Sequence, residues 1–285
     1  MLLMSVGAVA DPVERSPFTY RDFDAARLAE LADEFATARP FRHIVLDDFL
    51  RLPAGQVLPE FPAPDWEGWE GFSDSYQRNK RFCGDIDRIP PLFQAMIHEL
   101  SSPAFLSFME KVSGVRGLIP DPYLVGGGLH CSGPGGILAP HADFHHYARL
   151  ELFRRINVLV YFNTDWSAED GGCLELFEKG AAKAERMVVP AYGRMVMFLT
   201  DDRSIHGFSR PIAHEDRWRR SLALYYYTSE ETRTFSGDSD THWQSHGKQN
   251  MAGIARLAAY KILLRISRTF SRLAHLANPA LKRKG

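Results

Sequence analysis

The feature that most constrains the fold is a series of short β-type runs, separated by turn residues, in the stretch after Asp121. Glycines cluster in VGGGLHCSGPGG before the first run, and a Pro-x-x-Gly turn splits a later one. The runs are rich in Val, Ile, Tyr and Phe and are, in order, RRINVLVYFNTDW, CLELFE, ERMVVPAYGRMVMFLT and RRSLALYYYT. Short strands of this kind are typical of a closed or double-sheet β architecture such as a jelly roll.

The residues before Asp121 show helical patterns instead. DFDAARLAELADEFATA begins with a capping residue and places Leu28, Leu31 and Phe35 at helical spacing, and PPLFQAMIHEL and PAFLSFMEKVSG predict short helices that open at proline. RHIVLDDFL predicts a strand, and LPEFPAPDWEGWEGFSD an ordered loop. We therefore expect a helical and loop region over 1–120 that packs on the core, a β core over 121–235, and a C-terminal extension over 236–285.

The stretch PHADFHHYARL contains a His-x-Asp pair, His141 and Asp143. On a strand, side chains two residues apart point to the same face, so one imidazole and one carboxylate can converge on one ion. A later run, DRSIHGFSRP, supplies His206 as a third ligand. Two histidines and a carboxylate form the facial triad of non-haem Fe(II) oxygenases, which leaves coordination positions open.

Other histidines compete for these roles. His145 and His146 follow the pair at once, and His214 lies in a charged run that is typical of a surface turn. Because a loop follows the metal strand, we expect His145 and His146 to be exposed and idle, with contact to substrate at the pocket mouth as the alternative.

Arg219 and Ser221 open the last β-type run, and on a strand they share one face. The planar guanidinium of arginine matches a carboxylate, and the neighbouring hydroxyl adds a donor. The pair therefore suits the far carboxylate of a 2-oxo dicarboxylic acid. Arg220 points the opposite way, and we expect it to be a solvated charge.

From about Leu118 to Thr228 the sequence resembles the 2-oxoglutarate and Fe(II)-dependent dioxygenases, most of all the prolyl 4-hydroxylase-like branch. The resemblance is carried by GGGLHCSGPGGILAPHADF, RRINVLVYFNTDW, GGCLELFE, VVPAYGRMVMF, DDRSIHGFSRPI and RRSLALYYYT. It implies a mainly β fold with flanking helices around a double-stranded β-helix, the jelly-roll or cupin-like core. One departure is Cys173, which follows the paired glycines where members often carry a polar residue.

The resemblance also assigns residues. It implies that His141, Asp143 and His206 are the iron ligands and that Arg219 pairs with the 5-carboxylate of 2-oxoglutarate. Tyr161 matches a tyrosine that hydrogen-bonds the same carboxylate, and its alternative role is that of a core aromatic. The implied requirements are Fe(II), 2-oxoglutarate as cosubstrate and O2, and the need for ascorbate stays open.

The activity implied is hydroxylation of an unactivated C–H bond, with release of succinate and CO2. Because halogenating relatives replace the carboxylate by a small residue, Asp143 favours hydroxylation. A zinc-dependent hydrolase is one alternative, disfavoured by Arg219 and by the lack of a general base near the triad. A non-catalytic jelly-roll binding protein is another, disfavoured because all three ligands are present.

The substrate is left open between a peptidyl proline, a free amino acid and a glycan or lipid-linked glycan. Substrate recognition in such a scaffold depends on the loops at the mouth. The predicted loop Asp65 to Phe82 carries charges and aromatics that suit an anionic or sugar-like molecule, namely Trp66, Trp69, Tyr76, Arg78, Lys80 and Arg81. For each residue taken singly, we favour the interpretation that the aromatics are core and the charges are solvated.

The chain ends differ from its body. We interpret MLLMSVGAVA as a loose N-terminus, with a signal peptide as the alternative. Between Met251 and Gly285 there are eight Lys and Arg residues and no Asp or Glu, although the formal charge of the whole chain is −1. Such a basic amphipathic helix suits an anionic membrane surface. The competing interpretation, favoured because the acidic body would attract this basic segment, is that its apolar face packs on the core or on another subunit.

The cysteines bear on the compartment. Cys83, Cys131 and Cys173 are widely separated, which favours a reducing compartment. We expect a cytoplasmic protein, either free or peripheral at the inner face of the membrane. No nucleic-acid partner is expected, and the sequence leaves the oligomeric state open.

Overall fold

The computed structural model describes residues 16–229, the strand His242–Trp243 and six helical positions at 255, 259, 262, 263, 266 and 270. The first ten residues and most of the segment predicted as a basic C-terminal helix lie outside the described residues. The chain forms two compact units, Met1–Gln244 and Ser245–Gly285. No helix among the described residues is long and apolar enough to cross a bilayer.

Three of the four α-helices described in the first unit lie at the predicted places, and the short second one was not predicted. The four are α1 Ala25–Thr37, α2 Ala54–Val57, α3 Pro91–Leu100 and α4 Pro103–Ser113, with short 3₁₀ helices at Thr19–Asp22 and Leu58–Glu60. Helix α1 is capped by Asp24, whose carboxylate accepts from the Arg27 N–H. Helices α3 and α4 each begin at proline, which has no N–H to leave unsatisfied there.

The strands form one antiparallel sheet. They are β1 His43–Leu46, β2 Glu70–Phe72, β3 Gln77–Cys83, β4 Ile119–Pro120, β5 Gly128–Ala142, β6 His146–Tyr147, β7 Leu152–Tyr161, β8 Leu174–Phe177, β9 Arg186–Val188, β10 Met195–Leu199, β11 Ile205–Phe208, β12 Arg219–Thr228 and β13 His242–Trp243. The main path runs β1-β10-β7-β12-β5-β11-β8-β9. The hairpin β2–β3 pairs with β5 as well, so residues before 120 contribute strands to the sheet.

Strand β5 curls the sheet on itself. Its first part pairs with β12, from Gly128 to Ser132, and its last part pairs with β11 at Leu138 and His141. Between these parts lies SGPGG, where Gly135 has a positive φ of 68° that a residue with a side chain rarely adopts. One strand therefore belongs to both walls, and the predicted double-stranded β-helix core is confirmed.

The two faces of β7 and β12 have different partners. On one face, alternate residues join the helices in the main core, among them Val158, Val160, Leu222 and Leu224. The residues between them point into the curled sheet, as the period of two requires. The helices therefore cover the outer face and leave the inner face for a site.

The region predicted as a loop at the mouth is partly a hairpin. Strand β3 runs from Gln77 to Cys83 and pairs with β5 along most of its length. The prediction of a loop from Asp65 to Phe82 was therefore wrong in its second half. The strand was not predicted because its sequence, QRNKRFC, lacks the alternating apolar residues that indicate a β-strand.

The backbones of β3 and β5 approach each other closely at Gly128. Its φ is +92°, and a Cβ built on it would overlap the carbonyl oxygen of Cys83. Gly114 also has a positive φ, of +74°, but its Cβ would meet no atom within 4 Å. We expect Gly114→Ala to lower the free energy of unfolding by about 1–2 kcal/mol through backbone strain alone. Gly128→Ala should lower the free energy of unfolding by several kcal/mol more than Gly114→Ala, because its Cβ would also overlap the Cys83 carbonyl oxygen. Urea unfolding measures both losses, and equal losses in the two variants would contradict the close approach at Gly128.

Candidate metal centre

His141, Asp143 and His206 meet inside the curled sheet. His141 on β5 and His206 on β11 are register partners, so their side chains lie on the same face. Asp143 follows the end of β5 and lies two residues beyond His141. One ligand atom from each of the three buried residues lies within 4.8 Å of the others. The predicted triad residues are thus brought together.

The backbone sets the orientation of both imidazoles. His141 Nδ1 lies 2.9 Å from the Ala139 carbonyl oxygen, and His206 Nδ1 lies 3.0 Å from that of Ser204. Because a carbonyl only accepts, each Nδ1 carries the proton and donates it. Each Nε2 is therefore left with a lone pair, 3.4 Å (His141) and 3.5 Å (His206) from an oxygen of Asp143. This is the tautomer that metal-binding histidines use.

The carboxylate of Asp143 is held by two side chains of β7. Oδ2 accepts from Arg154 Nη2 at 3.0 Å and from Asn157 Nδ2 at 2.6 Å, and Arg154 Nε also donates to Asn157 at 2.7 Å. Burial alone would raise the pKa of Asp143, but the Arg154 guanidinium and the two histidines outweigh it and hold the pKa well below its usual range. The aspartate is therefore ionised without a metal.

Arg154 is itself buried, which is rare for arginine. Its guanidinium carbon lies 3.3 Å from the ring centroid of Tyr225 and 5.0 Å from that of Phe144. Cation–π contact and the pair with Asp143 offset its loss of hydration. Arg154 and Asn157 were not predicted, because an arginine in a β-type run gives no sign of which face it occupies.

The donor set fits ferrous iron. Two imidazoles and one carboxylate, converging from two strands, are the donors of the facial triad. They line a cavity of about 300 Å³, which would leave room beside the three donors for further ligands of a bound ion. The same residues are compatible with other divalent cations, so the donor set alone does not select iron.

Arg219 and Ser221 lie in the same cavity, with Arg219 buried. Arg219 Nε donates to the Gly172 carbonyl at 2.7 Å, and Nη2 donates to the Tyr161 hydroxyl at 3.3 Å. Tyr161 is fully buried and, among the described residues, it stands behind Arg219 rather than in the cavity wall. Tyr161 is thus a core aromatic that also orients the guanidinium, and its hydrogen bond to the carboxylate of 2-oxoglutarate stays a prediction.

The other histidines that the sequence offers as ligands, His145, His146 and His214, are not among the three converging donors. His145 is fully buried with Nδ1 3.1 Å from Asp202, so the expectation that it is exposed was wrong. His146 is half-buried, 3.5 Å from Glu151, and His214 pairs with Asp170. Arg220 is partly buried with its guanidinium 5.7 Å from the ring centroid of Phe61, so it is less solvated than expected.

Residues 127–227 match the family model of the 2OG-Fe(II) oxygenase superfamily. The match spans the β core that carries His141, Asp143, His206 and Arg219. The activity that these findings support is that of an Fe(II)- and 2-oxoglutarate-dependent oxygenase, an oxidoreductase that uses O2, as the resemblance in the sequence implied. A comparison of this sequence with curated proteins finds no match.

Solved structures confirm the prolyl hydroxylase-like fold of the oxygenase. A prolyl hydroxylase from Trichoplax adhaerens, in complex with a peptide fragment of a hypoxia inducible factor oxygen degradation domain, is 18% identical with a TM-score of 0.50, covering 73% of this chain and 96% of that one. A prolyl 4-hydroxylase from Phytophthora capsici is 19% identical with a TM-score of 0.51, covering 89% of this chain and 78% of that one. At this identity the likeness concerns the fold.

The pKa of His206 predicts a pH-dependent stability of the metal-free oxygenase. Burial lowers this pKa to about 4, against about 6.5 in an unfolded chain. The unfolded state therefore takes up the proton first, so stability is fully present above pH 6.5 and is lost as the pH falls toward 4. Over that window His206 should account for about 2–3 kcal/mol of the free energy of unfolding.

Urea unfolding of the chelator-treated protein at pH 7 and pH 4.5 measures this loss. His206→Gln should remove that part of the pH dependence, because glutamine does not titrate. The control is His98→Gln, on the exposed face of α3. The assignment fails if the His206 variant and the His98 variant show the same pH dependence.

Proposed function

We propose that the protein hydroxylates an unactivated C–H bond, with His141, Asp143 and His206 as the iron ligands and Arg219 and Ser221 as the site for the far carboxylate of 2-oxoglutarate. One observation carries the proposal: the three converging donors and the buried arginine line the same cavity. Neither a zinc hydrolase nor a ligand-binding jelly roll requires a buried guanidinium facing a metal site.

The residues of the chain have separate tasks in this reaction. The two Nε2 atoms and the Asp143 carboxylate hold the metal, and Arg154 and Asn157 keep the carboxylate ionised and oriented. Arg219, aligned by Gly172 and Tyr161, fixes the cosubstrate at its far end. Apolar side chains in the cavity wall, including Leu159, Leu174 and Phe208, limit access of water. When bound, iron and 2-oxoglutarate supply the activation of O2 that oxidises the substrate and yields succinate and CO2.

The substrate is a small molecule or a peptide that enters this cavity. The peptide bound to the Trichoplax adhaerens enzyme supports a peptide, such as one bearing proline, as a candidate. A free amino acid and a glycan or lipid-linked glycan are the other candidates that the sequence raises. A screen for succinate release over amino acids, peptides and sugar nucleotides distinguishes these classes.

Anaerobic addition of Fe(II) and 2-oxoglutarate tests the residue roles, because such a chelate gives a weak visible charge-transfer band. We expect Arg219→Ala to weaken 2-oxoglutarate binding roughly a hundredfold, since it removes a buried charged partner, and to leave iron binding unchanged. Arg220→Ala is the matched control, because Arg220 is the next residue and does not line the cavity.

Two outcomes contradict the proposal. Equal 2-oxoglutarate affinity in the Arg219 and Arg220 variants would remove Arg219 from the cosubstrate site. A charge-transfer band that persists in His141→Ala with unchanged intensity would place the metal elsewhere.

We propose further that the protein is cytoplasmic and that residues 251–285 contact the anionic inner face of the membrane. This segment carries eight basic and no acidic residues, and four apolar side chains of its helix are exposed, namely Ile262, Leu263, Ile266 and Phe270. A helix that is apolar on one side and basic on another suits the boundary of an anionic bilayer. The sequence offers packing on the core or on another subunit as the competing interpretation.

Vesicle flotation of the full chain tests the membrane contact. We expect binding to vesicles that contain phosphatidylserine and little binding to phosphatidylcholine alone. Arg265→Glu with Arg268→Glu should weaken binding about tenfold or more, because each basic residue near the surface contributes about 1 kcal/mol. Arg78→Glu with Arg116→Glu changes the net charge equally in the body of the protein, and an equal loss in that control would rule out a specific contact.

A further inference from the structure

Lys80 projects into the cavity from the hairpin that the sequence predicts as a loop. Its register partner on β5 is Ser132, and the partner of Ser132 on β12 is Arg219. Register partners on adjacent antiparallel strands lie on the same face, so Lys80, Ser132 and Arg219 form one row across three strands. All three line the cavity that holds the metal ligands.

Lys80 has no anionic partner within the part of the chain that the structure describes. The other two cations of the cavity are engaged, Arg154 by Asp143 and Arg219 by Gly172 and Tyr161. Burial lowers the pKa of Lys80 to about 8, and the nearby carboxylate of Asp143 opposes that shift more strongly than Arg219 reinforces it. An ammonium in a recess without a counter-ion is costly, which favours binding of an anion there.

The cavity keeps a net positive charge after 2-oxoglutarate has bound, which favours binding of a further anion. Three cations, Lys80, Arg154 and Arg219, face one carboxylate, Asp143. A ferrous ion and the 2-oxoglutarate dianion together add no net charge. The excess of positive charge is therefore the same in the empty and the loaded site, and Lys80 is the cation that lacks a partner in both.

The surroundings of Lys80 favour a ligand other than 2-oxoglutarate. Lys80 also lines a second pocket, which is open to solvent on the hairpin beside Phe72 and Arg81. The half-exposed Phe72 borders both pockets. Lys80 is thus placed where a molecule entering over the hairpin meets the cavity.

A second polar atom in the cavity lacks a partner. His130 Nε2 is buried without a hydrogen-bond partner among the described residues, and His130 is the register partner of both Phe82 and Ser221. Burial holds the pKa of His130 well below its usual range, so its imidazole is neutral. A buried polar atom left unpaired is rare and indicates a polar ligand at this wall.

We propose that Lys80 determines specificity by binding a carboxylate or another anionic group on the substrate that is oxidised. The proposal rests on the proposed function and names the class of substrate for the same site. The carboxylate bound by Lys80 could belong to the substrate or to 2-oxoglutarate. Removing the Lys80 charge should weaken binding of the substrate in the first case and binding of 2-oxoglutarate in the second.

The test compares full-length Lys80→Gln with Arg78→Gln, a matched loss of one charge on an exposed residue of the same strand. We expect the affinity for 2-oxoglutarate in the presence of Fe(II), measured anaerobically by the charge-transfer band, to change less than about twofold in both variants. A tenfold loss confined to Lys80→Gln would assign Lys80 to the cosubstrate and overturn the proposal.

The second arm uses N-acetyl amino acids as free acids and as carboxamides. Binding to the enzyme loaded with Fe(II) and 2-oxoglutarate is measured anaerobically by the shift of the same band. We expect the wild type and Arg78→Gln to bind the acids at least tenfold more tightly than the amides, and Lys80→Gln to lose that preference, in line with a charged hydrogen bond. Equal binding of acids and amides by the wild type, binding of neither, or a preference that persists in Lys80→Gln would overturn the proposal.

A third readout is independent of the loaded enzyme. Acetic anhydride labels accessible lysines of the metal-free protein, and peptide mass spectrometry quantifies the labelling of Lys80. We expect the free acids to protect Lys80 and the amides not to, and equal protection by both would count against the proposal. A charge-transfer band in the wild type together with a failed acid preference would leave the proposed function standing and remove this inference alone.

Discussion

The buried carboxylate of Asp143 is the constraint on which the rest of the site depends. An ionised group inside a sheet is tolerated only when other groups replace its water. Arg154 and Asn157 do so from β7, and both engage Oδ2, which leaves Oδ1 on the side of His141. The pairing also accounts for the burial of Arg154 between Tyr225 and Phe144, since neither charge would be stable there alone.

In this arrangement β7 and β12 each face the apolar core on one side and the cavity on the other. Their outward residues, such as Val158 and Leu224, fill the apolar core under the helices, whereas Asn157 and Arg219 face the cavity. Tyr226 ties the layers together, because its buried hydroxyl donates to the carbonyl of Leu100 at the end of α3. Packing of the helices therefore holds in place the strands that position the polar groups.

The parts of the site that could be predicted from sequence are those that follow from strand alternation. His141 with Asp143, and Arg219 with Ser221, are each separated by one residue on or beside a strand, so the spacing alone predicts their common orientation. The surrounding shell could not be predicted in this way. Arg154 and Lys80 look like surface charges, because the sequence does not say that an aromatic pair or an open cavity receives them.

Strands β3 and β5 show why part of the fold was missed. Strand β5 contains SGPGG, which suggests a turn, but the glycines permit the bend by which one strand serves both walls. Strand β3 lacks apolar alternation because Lys80 lines the cavity, whereas Asn79 donates to the Pro134 carbonyl and the Arg81 guanidinium lies 4.4 Å from the ring centroid of Trp218. In both strands the local pattern reflects the function of the site rather than the packing of a core.

Arg219 and Lys80 both line the cavity, but they differ in how firmly the surrounding residues hold them. This difference suits the two ligands proposed for them, 2-oxoglutarate and the substrate. Arg219 is buried and fixed at two of its nitrogens, as a site for one invariant dicarboxylate should be. Lys80 has a flexible stem and stands on a hairpin that supplies none of the three metal ligands. Because β3 contacts the metal strand through backbone pairing, side chains on the hairpin can change without disturbing the metal centre. Recognition of the substrate is thus separated from the chemistry that all substrates share.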